Sequence, residues 1–228
     1  MNAKSKVSRV LGIAFLLQFI TSFFISGIFI KPLWLVSDDM GATMRKIAEN
    51  PSFLRANILA DMLTALGVAF LGAILFITLR KQNEKIALTA LSFYILEGAL
   101  LAASRMATFS LLHISQEFIS AGQPENLLAF GNLAIEAMDF VGDTLHMLAF
   151  CPGAILFYYL LYKSSVVPRW LSLWGLITIL PLLAGTLTAV FGIDLPFILF
   201  VPYVPFEFVI GLWILVKGVP EARQSLAV

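Results

Sequence analysis

The chain has 228 residues, of which 60% are hydrophobic and only 13% charged. A soluble domain of this length carries about 25% charged residues, so this composition and a mean hydropathy of +0.92 point to a polytopic membrane protein. A net charge of +1 and no basic–aromatic strip exclude nucleic acid as a partner, and the single cysteine, Cys151, excludes an intramolecular disulfide and paired-thiol redox chemistry.

Six apolar stretches are long enough to cross a hydrocarbon core of about 30 Å as helices. They run over 10–30, 56–79, 86–109, 141–162, 169–191 and 197–216. The first follows a basic N-terminal stretch. Its apolar run, Val10 to Ile30, exceeds a usual signal core, and no small-x-small cleavage site follows, so it reads as an uncleaved span. Continuous spans of this length argue against a β-barrel, whose strands alternate over about 10 residues. The expected fold is therefore all-α, a single membrane domain over 1–228 containing a bundle of six transmembrane helices.

Basic residues set the expected orientation. Lys4, Lys6, Arg9, Arg80, Lys81, Lys85, Lys163, Arg169, Lys217 and Arg223 fall on one side of the six spans. The other side has only Lys31, Arg45, Lys46 and Arg55, all in the first loop. Both termini are expected in the cytoplasm.

Two short helices are expected on the outer side. Asp38 to Asn50 has helical composition and ends where Asn50 meets Pro51, because the residue before a proline is pushed out of helix. Ser52 is then the expected cap of the second span. Gly122-Gln123-Pro124 is a turn signal. Beyond it, Glu125 to Met138 carries apolar residues at helical spacing, either in the interface plane or as an extension of the fourth span.

The charged residues inside the spans are the informative ones, since a charge at the bilayer centre costs about 2.5–3.5 kcal/mol on insertion scales. Asp61 lies near the outer end of the second span. Glu97 and Arg105 lie in the third, eight residues and about 80° apart around the helix. Asp143 and His146 open the fourth. Glu207 is mid-way along the sixth, after Pro202 and Pro205, which free backbone carbonyls and bend a helix. All six fall in the outer half or near the midplane. Such groups pair with one another or line a path for a ligand.

Asp139, Asp143 and His146 are spaced four and three apart, along one side of a helix. Asp143 and His146 are weak candidates for metal ligands, because zinc needs at least three protein ligands and the rest must come from other helices. Acids also suit a helix N-terminus, which accounts for Asp139 and less fully for Asp143, but leaves His146 unexplained. His113 is expected at the interface. No lysine lies within a span core for a Schiff base, and no phosphate loop or HExxH motif is present. Ser104 and Ser110 are serines that His146 could activate, though no spacing selects them. Catalytic residues and cofactors are thus unassigned.

Four stretches carry a resemblance. They are ENPSFLRANILADMLTALGVAFLGAILFITLRKQN, ALSFYILEGALLAASRM, LLYKSSVVPRWLSLWG and FEFVIGLWILVKGVPEAR. Together they resemble the bacterial membrane proteins of domain-of-unknown-function family 4386, from about Arg9 to Gly218. The match rests on Asn50, Pro51, Arg55, Asp61, Arg80, Asn83, Glu97, Ser164, Pro168, Arg169, Glu207, Lys217 and Gly218. The family pattern often has a basic residue shortly before the acid at Glu97. Tyr94 stands there in this chain, with Arg105 as the candidate substitute. The resemblance implies a multi-pass helical protein of a bacterial cytoplasmic membrane and brings no reaction or substrate.

The resulting expectation is a non-enzymatic protein that binds a small molecule or lipid in an outward-facing polar pocket formed by Asp61, Glu97, Arg105, Asp143, His146 and Glu207. The alternatives are a membrane-embedded hydrolase or metal-dependent enzyme using His146 and nearby acids, and a structural or accessory subunit whose charges only pair. Oligomeric state is not legible.

Overall fold

The computed structural model describes residues 3–164, 166–193 and 195–218. Arg223, counted above toward orientation, lies outside the described residues, as do the side chains of Lys4 and Lys6. Every regular element among the described residues is helical. The order is α1 (Ala3–Phe19), a π-helical segment (Ile20–Ile30), α2 (Lys31–Trp34), α3 (Met40–Glu49), α4 (Pro51–Leu79) and α5 (Glu84–Ser120). Then follow α6 (Glu125–Asp139), a second π-helical segment (Phe140–Leu145), α7 (His146–Ser164), α8 (Arg169–Ala189), two 3₁₀ turns (Phe197–Leu199 and Val201–Tyr203) and α9 (Val204–Lys217).

Six helical stretches among the described residues are long and apolar enough to cross a membrane, as the sequence predicts: Arg9–Trp34, Pro51–Leu79, Glu84–Ser120, Glu125–Ser164, Arg169–Ala189 and Phe197–Lys217. The chain is an all-helical, multi-pass membrane protein. Two stretches outrun their expected bounds the furthest. Helix α5 has 37 residues, about 55 Å at 1.5 Å per residue. Helix α6 continues through the second π-helical segment into α7, which selects the extension of the fourth span for Glu125 to Met138.

Local chemistry explains the helix ends. Asp39 accepts a hydrogen bond from the Ala42 amide at 2.8 Å and caps α3. The expected Ser52 cap is corrected: α4 already begins at Pro51, so Ser52 lies inside the first turn. Proline suits a first helical position, since the N–H it lacks would have no partner there. Asn83 caps α5 by accepting from the Ile86 amide at 3.1 Å. After α5, Gly122 and Gln123 adopt φ of 80° and 63°. The Gln123 amide reaches back to the Phe118 carbonyl at 2.7 Å, which closes the helix before Pro124.

The chain divides into two compact units, and the divisions fall inside four of the six spans. One unit comprises 19–66 and 97–146; the other comprises 1–18, 67–96 and 147–228. The 19–66/97–146 unit has a core of Trp34, Met44, Ile47, Leu54, Leu111, Leu112, Phe118, Ala134 and Met138. Gly131 lets α6 approach α3, since a Cβ there would lie 2.8 Å from the Met44 sulfur.

The other unit is tied by close backbone contacts and aromatic rings. A Cβ on Gly12 of α1 would stand 2.6 Å from the Leu215 amide nitrogen and 2.9 Å from the Gly211 carbonyl oxygen, so only glycine permits that crossing of α1 and α9. Trp170 packs against Trp174 and Trp213 at ring distances of 6.5 and 6.0 Å, and Trp174 donates to the Pro202 carbonyl at 3.0 Å. Arg169 sits over the Tyr162 ring and Lys163 over Tyr159. Tryptophan, tyrosine and basic residues gathered this way are typical of a membrane–water boundary.

Candidate binding site

Asp61 on α4 and Arg105 on α5 form an ion pair through Oδ2 and Nη1, with side chains only 14% and 13% exposed. A buried pair needs further hydrogen bonds to its remaining donors and lone pairs, and both partners have them here. Asp61 Oδ1 accepts from Ser26 Oγ at 2.5 Å, and Oδ2 accepts from Asn57 Nδ2 at 2.8 Å. Asn57 Nδ2 also donates to Ser26 Oγ at 2.8 Å, and Asn57 Oδ1 accepts from the Trp34 indole at 2.7 Å. Arg105 donates from Nε and Nη2 to Ser104 Oγ at 3.0 and 2.7 Å, and Ser104 donates onward to the Leu101 carbonyl. Six side chains from the first π-helical segment, α2, α4 and α5 thus form one network around one ion pair.

Helix geometry makes the network. Asn57 and Asp61 are four apart on α4, so both face the same way. Ser26 belongs to the first π-helical segment, whose wider turn re-aims side chains relative to an α-helix. Gly142, in the second, gives Arg105 its room: a Cβ there would lie 2.7 Å from Arg105 Nη2 and 2.9 Å from Ser104 Oγ. Both π-helical segments therefore border the ion pair, consistent with the frequency of such turns at functional sites.

Asp139, Asp143 and His146 belong to the same unit. Asp139 is half-buried and Asp143 exposed. Lys31 exerts the strongest single-charge influence on each, and Arg105 acts on both. Arg105 also acts on His146, which is 8% exposed. His146 Nδ1 is buried with no hydrogen-bond partner among the described residues. Glu97, two turns before Arg105 on α5, is 3% exposed. The Ser104 hydroxyl is occupied by Arg105 and Leu101, and Ser110 donates to the Met106 carbonyl. Among the described residues no group of three or more His, Cys, Asp or Glu side chains is placed to hold a metal. His113 packs edge-on against Phe109 and lines a hollow of about 540 Å³ with Gln116, Glu117 and Leu127.

Glu207 belongs to the other unit. It accepts a hydrogen bond from Tyr203 at 3.0 Å, and the Tyr203 hydroxyl lies 2.6 Å from that of Tyr158.

Two acids named by the resemblance, Asp61 and Glu207, thus lie in these polar clusters. A family model described as Domain of unknown function (DUF4386) matches residues 10–218. The chain belongs to the DUF4386 family. No match is found among curated proteins or among solved structures.

In this DUF4386 protein several residues of the network escape a reading of the sequence. Asn57 could be found from its four-residue spacing to Asp61, and Ser104 from its place beside Arg105. Ser26 and Gly142 give no such signal, because both lie in π-helical turns that an α-helical periodicity does not register. Trp34 reads as an interface anchor until its indole is seen to donate to Asn57.

Proposed function

We propose that this DUF4386 protein is a non-enzymatic binding protein of a bacterial cytoplasmic membrane. Both termini face the cytoplasm, and a small molecule or lipid enters from the outer side among Asp61, Glu97, Arg105, Asp143 and His146. The supporting observation is the buried His146 Nδ1, which lacks a hydrogen-bond partner among the described residues. Leaving such a group unmet costs about 1–3 kcal/mol, and a bound polar ligand relieves that cost. The Asp61–Arg105 pair, with its charges mutually neutralised, is the rigid floor of this site. Asp139, Asp143 and Lys31 are the groups free to address a ligand.

Native mass spectrometry of the detergent-purified protein tests the reading. The wild type is expected to carry a small-molecule or lipid adduct that is lost in both His146→Ala and Asp143→Asn. A wild type that flies only as the bare chain, or an adduct that neither substitution alters, rules the pocket out. Single-cysteine labelling in intact cells, with Cys151 first replaced, tests the orientation: a cysteine at Ser120 should react with an impermeant maleimide and one at Lys81 should not.

A further inference from the structure

Glu207 stands at the centre of its span, with ten residues of Phe197–Lys217 on either side. It makes no ion pair among the described residues, and its hydrogen bond comes from Tyr203. An ionised carboxylate held this way in a membrane is costly. Its surroundings are aromatic. Phe206 is fully buried and packs on Tyr158 and Tyr203 at ring distances of 5.0 and 5.7 Å, and Phe150 closes on Tyr203 at 5.9 Å. The titratable groups around it are the neutral hydroxyls of Tyr203, Tyr158 and, acting on Tyr203, Tyr94; among the described residues no lysine, arginine or second carboxylate acts on Glu207.

The hydroxyls form a directional chain. Tyr203 has one hydroxyl hydrogen, and Glu207 Oε1 accepts it. The 2.6 Å contact with Tyr158 must then run from the Tyr158 hydroxyl to the Tyr203 oxygen. When Glu207 is itself protonated, the carboxylic O–H can donate to Tyr203 and the whole chain reverses. The two hydroxyls can thus turn to follow either protonation state of Glu207 without moving a heavy atom.

We propose that Glu207, hydrogen-bonded to Tyr203 and through it to Tyr158, is a reversible proton-binding site inside the membrane domain, and that hydrophobic carbodiimides modify it. Glu207 is only half-buried, so an apolar reagent dissolved in lipid or detergent reaches it. The carboxylic O–H adds across one C=N bond of the carbodiimide: oxygen bonds the central carbon and the proton goes to nitrogen. An oxygen-to-nitrogen acyl shift then gives a stable N-acylurea. No atom is lost, and no oxidant or reductant is needed.

The test is labelling of the full-length protein in detergent with dicyclohexylcarbodiimide, mapped by peptide mass spectrometry across a series of buffers from acidic to alkaline. Glu207 is expected to be labelled in acidic buffer and to lose at least about tenfold of that labelling as the proton leaves. In Tyr203→Phe the hydrogen bond that favours the ionised carboxylate is gone, so the labelling profile should move toward alkaline buffer by about a tenfold change in proton concentration. A wild-type Glu207 that stays unlabelled while other carboxyls react overturns the site. A profile that Tyr203→Phe leaves unmoved overturns the part given to Tyr203. Peptide mapping of the wild type needs no variant, so the site can be judged even if a substitution prevents folding.

Discussion

The two compact units hold their acids in opposite ways. In the 19–66/97–146 unit, Asp61 is met by a guanidinium, a serine hydroxyl and an asparagine amide. In the other unit, Glu207 has one tyrosine hydroxyl and a wall of rings. The first arrangement fixes a charge by surrounding it with donors, which makes it rigid and hard to alter. The second leaves the charge unsupported, so the group is best kept neutral and can exchange its proton. Burial alone therefore says little about an intramembrane acid; the partners decide whether it anchors structure or performs chemistry.

The largest expected effect attacks the anchored acid. Asp61→Ala removes one partner of a buried pair and should destabilise the protein by about 3–5 kcal/mol, read as a lower unfolding midpoint in detergent. Replacing both partners together, Asp61→Leu with Arg105→Met, should recover most of that loss, since apolar groups of similar volume often substitute for a buried pair. A double variant as unstable as the single one would show that the network, rather than the unpaired arginine, is what matters.

Next comes a contrast between glycines, one from each unit. Gly12→Ala drives a methyl group into the backbone at Leu215 and Gly211, which cannot swing aside, and should cost about 3 kcal/mol. Gly142→Ala meets the side chains of Arg105 and Ser104 rather than backbone, and should cost less, about 1 kcal/mol. Equal losses by thermal unfolding would mean Arg105 is held as firmly as backbone.

Trp34→Phe keeps the ring but leaves Asn57 Oδ1 without its donor, an expected loss of about 1–3 kcal/mol in a chemical-denaturation curve. The smallest effect belongs to Glu207→Gln. The amide oxygen still accepts from Tyr203 and no new charge enters the apolar surroundings, so stability should stay within about 0.5 kcal/mol. A loss as large as that of Asp61→Ala would erase the distinction between the two acids.

The sequence disclosed the six spans because apolar length is a strong signal that needs no knowledge of contacts. It also disclosed the ionisable residues, since each is conspicuous in lipid. Their partners were harder to read. Asp61 and Arg105 come from different helices, and neither the pairing nor its serine and asparagine donors leave a mark on periodicity. The sequence suggested Arg105 as a substitute partner for the acid at Glu97; its ion pair is with Asp61. The far end of α5 was missed because His113, Gln116 and Glu117 break the apolar pattern, although they continue the same helix to Ser120. Ser52 was expected to cap α4 because capping residues are read by type, whereas Pro51 begins the helix by its fixed backbone angle.

The tryptophans divide as usefully as the acids do. Of the four in the chain, Trp170, Trp174 and Trp213 gather in one unit, while Trp34 is the lone indole of the other and hydrogen-bonds into the Asp61 network through Asn57. With Trp170, Trp174 and Trp213 replaced by phenylalanine, and excitation at the red edge where tyrosine does not absorb, the ultraviolet emission comes from a single indole one residue removed from the ion pair. Its colour and lifetime would then follow any rearrangement of that network in real time, without attaching a dye.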